Sequence, residues 1–117
     1  MKKLILSGLC GLLALNSWAA NICVSASGSA GNSGADWNNT KPWATATWVR
    51  GNTYYLADGN YGGMIFNTPS SNVSEIIVKK AISSDHVTDT GWSAGMGDGQ
   101  AVITDTVYLD LPYFTLD

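Results

Sequence analysis

The sequence is short of charge, cysteine and histidine, and each shortage removes a class of function. Charged residues fill 13% of 117 positions, and only six of them are basic. Lys2 and Lys3 stand at the start, which leaves Lys41, Arg50, Lys79 and Lys80 scattered along the remainder. No basic cluster could track a phosphate backbone, so nucleic acid is not an expected partner. A single histidine, His86, and a single glutamate, Glu75, leave no preferred carboxylate pair for glycoside hydrolysis and little for a metal cage. Long apolar runs are missing too. Residues 4–15 are apolar except for Ser7 and glycines, well short of the ~20 residues that a spanning helix needs.

That short run reads instead as the core of an export signal over residues 1–19. Lys2-Lys3 form its charged start, and Ser17-Trp18-Ala19 supplies small residues where signal peptidase reads. Cleavage is expected after Ala19, with Ala20 the second choice. The exported chain would keep four basic residues against nine acidic ones, a net charge of −5. The expected destination is the bacterial envelope, the periplasm or the medium, with no membrane span after signal removal. Cys10 leaves with the signal, so Cys23 is left as a buried thiol or as half of a bridge to a segment not in this sequence.

What is abundant points to an all-β chain. Hydrophobic residues make up 45%, enough to bury a core, and thirteen glycines serve many turns. The stretch at residues 50–63, RGNTYYLADGNYGG, organises the rest. A Gly-Asn turn leads into a strand at 53–57, with Tyr54 and Leu56 on one face and Tyr55 on the other. Asp58-Gly59-Asn60 reads as the next turn. Further strands are expected at 22–25, 64–67, 75–82, 101–104, 106–109 and 113–117. Residues 20–50 read as an N-terminal strand, a Gly/Ser-rich loop and a cap, with a helical turn at 44–49 and a turn at 68–72. Trp43 and Trp48 are expected to be buried beneath the first strand.

Tyr54 and Leu56 lie 22 positions before Ile76 and Val78. A repeat of roughly 20 to 25 residues is too short to fold alone and points to stacked units. Residues 83–100, SSDHVTDTGWSAGMGDGQ, break the rhythm as an excursion. The final apolar strand carries no polar cap, so the chain is expected to be the front of a longer protein. A complete small β-sandwich is the alternative.

Several runs resemble the N-terminal region of secreted right-handed parallel β-helix proteins of the pectate-lyase-like superfamily. They are Pro42-Trp43-Ala44-Thr45, Gly51-Asn52-Thr53-Tyr54-Tyr55-Leu56, Asp58-Gly59-Asn60-Tyr61 and Ile76-Ile77-Val78-Lys79-Lys80. The excursion through Gly97-Asp98-Gly99-Gln100-Ala101-Val102 and the strand from Tyr113 are similar as well. Asn52 and Asn60 depart from the pattern but still suit turns. The resemblance implies a right-handed parallel β-helix, here its cap and first two to three coils over residues 51–117. It also implies a protein acting on or binding an acidic polysaccharide such as pectin or alginate. A lyase of that kind would use Ca²⁺ in the full-length protein, with catalytic coils beyond residue 117, so this chain alone is expected to be inactive. The alternatives are a non-catalytic binding or adhesion solenoid and a β-sandwich carbohydrate-binding module.

The candidate site residues follow from chemistry. Asp85, Asp89 and Asp98, with Asp105 beyond, could offer oxygen ligands to calcium, although solvated loop carboxylates fit the pattern better. Trp92, in the glycine-rich excursion, is the candidate platform for a sugar ring. His86 reads as a loop histidine. Lys79 and Lys80 could stabilise an enolate, but lysines that protect a strand edge are commoner.

Overall fold

The computed structural model describes residues 19–43, 48–69, 74–110 and 112–117. Residues 1–18, with Cys10, lie outside the described residues, as do most of the helical turn expected at 44–49 and of the turn expected at 68–72. Within the described residues the short β-prone runs become eight strands. They are β1 (Asn21–Val24), β2 (Thr53–Leu56), β3 (Gly59–Tyr61), β4 (Met64–Phe66), β5 (Ile76–Lys80), β6 (Ala101–Ile103), β7 (Val107–Leu109) and β8 (Phe114–Leu116). One 3-10 turn, Ala94–Met96, is the helical element among the described residues. The chain is all-β, and no helix of the described residues is long and apolar enough to cross a membrane.

Every pairing between these strands is parallel. The first sheet runs β1-β2-β5-β8, the second β3-β6 and the third β4-β7. The chain visits the sheets in turn. Strands β2, β3 and β4 lie in the first, second and third, β5, β6 and β7 lie beside them in the same order, and β8 returns to the first. Parallel neighbours cannot be joined by tight hairpins, and this cyclic path supplies the long connections they require.

Two of the expectations need correction. Tyr54 does not oppose Ile76. It opposes Val78, and Leu56 opposes Lys80, a register of 24 positions rather than 22. A slip of two leaves every side chain on its own face, so the alternation of apolar residues cannot separate the two registers. Gly59 and Asn60 are also not turn residues. They pair with Ala101 and Val102 in β3, because the ladder offered by β6 outweighs their weak preference for strands.

The inward faces of the three sheets meet in one core. Val24, Tyr54, Leu56, Ile76 and Val78 come from the first sheet, Tyr61 from β3 and Phe66 from β4. Trp43 and Trp48 fill the space between them, buried as expected. Trp43 meets Trp48, Tyr61 and Phe66 at centroid separations of 5.2, 5.7 and 6.0 Å, edge to face. Its indole N–H donates to the Gly62 carbonyl at 2.6 Å, so the ring is buried without leaving a polar atom unpaired. The outer edge of β1 is closed by the loop that follows it. Cys23 N–H donates to Gly34 O at 2.7 Å, Lys41 N–H to Cys23 O at 2.9 Å and Ser25 N–H to Lys41 O at 3.1 Å.

Arg50 fastens successive corners. Its guanidinium donates to the carbonyls of Thr68 at 2.6 Å and of Pro112 and Tyr113 at 2.8 Å. It also lies over the Phe114 ring, 4.5 Å from the centroid. Charge-assisted bonds to several carbonyls suit the planar fork of arginine and would not survive replacement by lysine.

The core makes a sharp prediction. Trp43 is 3% exposed and Ile65, on the outward face of β4, is 54% exposed. Trp43→Ala is expected to lose about 3–5 kcal/mol, a large share of the roughly 5–15 kcal/mol available to a domain. Ile65→Ala is expected to change stability by less than about 1 kcal/mol. Urea unfolding followed by circular dichroism checks both.

Candidate functional site

The first sheet is covered on its outer face as well. Cys23, Tyr55, Ala57 and Ala81 face away from the main core and meet Trp37, Trp92 and Met96. Trp37 comes from the N-terminal loop; Trp92 and Met96 come from the excursion. The excursion is therefore a lid packed on the sheet, although its sequence has no apolar period. Trp37 Nε1 donates to His86 O at 2.7 Å, and Trp37 N–H to Thr90 O at 3.0 Å. Trp92 lies 5.0 Å from Trp37 and stacks on the His86 ring at 4.3 Å with 19° between the planes. Gly97 closes against Trp92, where a Cβ would come within 2.6 Å of the indole. Trp92 thus makes its ring contacts with His86 of the lid and Trp37 of the N-terminal loop.

The polar groups beside this patch form a connected cluster. Lys79 Nζ lies 2.6 Å from Asp85 Oδ2 and 5.4 Å from the Tyr55 ring centroid, and the Tyr55 phenol interacts with the same carboxylate. The Lys79 ammonium holds the Asp85 carboxyl below the ordinary carboxylate value, and Asp85 in turn raises Lys79. Burial and then Asp85 push the Tyr55 phenol up, so it stays a donor. His86 Nε2 is 2.8 Å from Asp89 Oδ1, and its Nδ1 is 3.2 Å from Ile82 O. Both ring nitrogens face acceptors of the chain itself, and a neutral imidazole can donate to one of them at a time. Thr88 N–H donates to His86 O at 2.7 Å across Val87, whose φ is +71°. This is a strained γ-turn at a β-branched residue, at a cost of order 1–3 kcal/mol. A cleft of about 380 Å³ lies here, lined by Tyr55, Asp85, His86, Val87 and Asp89 among others.

A second ionic corner pins the far end of the excursion. Lys80 Nζ sits 2.5 Å from Asp58 Oδ1 as a charge contact rather than an aligned hydrogen bond. Gly99 N–H donates to Asp58 Oδ2 at 2.5 Å, and Asp58 N–H to Met96 O at 2.7 Å. Desolvation pushes the Asp58 carboxyl up, but Lys80 and the Gly99 amide outweigh it and hold it below the ordinary value. Lys41 donates to Asn32 O at 2.8 Å. With Arg50 on its carbonyls, all four cations of residues 20–117 are engaged within the chain.

The structure does not gather Asp85, Asp89 and Asp98. Asp85 belongs to Lys79 and Asp89 to His86, while Asp98 lies next to Asp58. Among the described residues no three His, Cys, Asp or Glu side chains converge to hold a metal. Gly91-Trp92-Ser93-Ala94-Gly95 has the spacing of a nucleophile elbow but lacks its strand–turn–helix setting. Ser93 is exposed and precedes a three-residue 3-10 turn. Cys23 is a free thiol, fully buried, and burial followed by the charge of Asp36 raises it to about 11. The Tyr55–Asp85–Lys79 cluster leaves no trace in residue spacing, because Asp85 reaches Lys79 only after the chain reverses at the bridge between Ile82 and Asp85.

The chain matches no family model, no curated protein and no solved structure.

Two outcomes follow from this geometry. Cys23 is expected to resist a maleimide at pH 8 in the folded protein and to react fully in urea, which mass spectrometry would read. Asp85, with its lowered folded value, stabilises the lid above the ordinary carboxylate range and loses that contribution as pH falls through the folded value. The protection of residues 82–90 against hydrogen exchange, taken relative to the intrinsic rate at each pH, should be steady near neutrality and fall below about pH 4. Asp85→Asn should show low protection throughout and lose that acid step.

Proposed function

We propose that the chain forms the capped first coils of a right-handed parallel β-helix that is exported and engages a polysaccharide. The observation that carries this reading is the cyclic path through three parallel sheets, with β5, β6 and β7 laid beside β2, β3 and β4. The hand follows from the general rule that parallel crossovers are right-handed in about 98% of cases. The polysaccharide follows from the resemblance in residues 42–61 and 76–102, and two surface clefts beside the excursion support it.

An acidic polymer such as pectin or alginate is the class that the resemblance implies. Its carboxylates would meet a chain whose cations are already engaged and whose net charge is negative. Contacts would then be made by hydroxyl and amide groups, with a divalent cation from solution between carboxylates. The described residues do not fit a calcium cage. Lys79 and Lys80 are each paired with an aspartate, so neither is a free base for a lyase within this chain.

Affinity electrophoresis of the purified chain in gels containing polygalacturonate, alginate or a neutral galactan tests the reading. Retardation by at least one polymer is expected, and for the two acidic polymers only when calcium is present. Unchanged mobility in all three gels, with and without calcium, would refute polysaccharide engagement. Polygalacturonate with calcium should yield no ultraviolet-absorbing unsaturated product, and clear turnover would overturn the assignment of chemistry elsewhere.

A further inference from the structure

A second cleft, apart from the Tyr55–Asp85 cluster, lies where the N-terminal loop and the excursion run side by side. It encloses about 370 Å³ between Ser25–Asn38, the corner at Ala57-Asp58 and the turn at Gly95-Met96. Its lining is of two kinds. Trp37, Ala57 and Met96 give an aromatic and aliphatic part, and Ser27, Asn32 and Asn38 give hydroxyl and amide groups. The volume falls within the usual range for small-molecule sites. A sugar ring presents the same two kinds of surface, C–H faces and hydroxyl edges, and amide side chains both donate and accept.

The charges around Asp58 bear on which sugar fits. Asp58 lines the same cleft, and Lys80 and the Gly99 amide hold its carboxylate in place. Lys80 already faces Asp58 and the carbonyls of Ala81 and Met96. No side-chain cation lines the cleft. A carboxylate on the ligand would find no free counter-charge there, because Lys80 is already committed to Asp58, whereas hydroxyl groups could pair with the amide and hydroxyl side chains of the lining.

We infer that this cleft is a subsite for a neutral sugar ring, which rests on the polysaccharide reading and narrows it. The cleft selects against uronates, although the chain can still touch an acidic polymer elsewhere.

Galactose and galacturonate, which differ at C6, are the probes, with amide NMR of the full chain as the readout. Galactose should shift the signals of Ser27, Asn32, Asn38 and Ala57 with a dissociation constant on the order of 10 mM, as its few atoms allow. Galacturonate should bind there at least about tenfold more weakly. Asn38→Ala should weaken galactose binding severalfold while the rest of the spectrum stays unchanged. If that variant fails to fold, Ser27→Ala serves the same purpose. Equal binding of both sugars, or galactose shifts confined to other residues, would overturn the subsite and leave the polysaccharide reading standing. No shift with either sugar, together with unchanged mobility in every gel, would remove both.

Discussion

The structure depends on β2 being held between β1 and β5 with both of its faces covered. A parallel strand in that position needs apolar side chains on both sides, and Tyr54-Tyr55-Leu56 provides them. Tyr54 and Leu56 enter the core with Trp48 and Phe66, and Tyr55 enters the smaller cluster under the excursion. The lid closes on Tyr55 and Cys23, with Ala57 and Ala81 beside them. The residues that set the first sheet thus also place Lys79, Asp85 and His86 beside each other. Fold and candidate site share one strand.

The sequence was most legible where apolar residues alternate. The strands at Tyr54, Ile76 and Val107 can be read from such alternation because period two belongs to the backbone itself. The register could not be read in this way, since a two-residue slip preserves every face. Gly59 and Asn60 looked like a turn because their partner strand lies 42 positions away at Ala101 and Val102. The lid was hidden for another reason. Its apolar contacts come from single residues, Trp92 and Met96, set among glycines, and a lone aromatic has no period to detect. The aspartates of the excursion are neighbours in sequence, but the fold gives Asp85 and Asp89 separate partners.

Charge limits what this surface can do. A negatively charged chain whose described lysines and arginine all face its own carbonyls and carboxylates presents no free cation among the described residues to an anionic partner. Recognition is left to hydroxyls, amides and aromatic edges, which are short-ranged and little affected by salt. Such a surface would find its ligand without long-range attraction and would tell ligands apart by shape and hydroxyl pattern.

The tethering of the four cations also bears on how long the folded protein would last outside a cell. A protease that cuts after lysine or arginine must take that side chain into its own pocket. Lys41 and Arg50 would first have to leave backbone carbonyls, Lys79 its carboxylate, and Lys80 both kinds of partner. Two of these residues also lie within β5, where the backbone is part of a sheet. Digestion of the native protein would then be governed by local opening rather than by the presence of cleavable bonds. In a protease-rich medium, the contacts that use up the positive charge would also serve as protection.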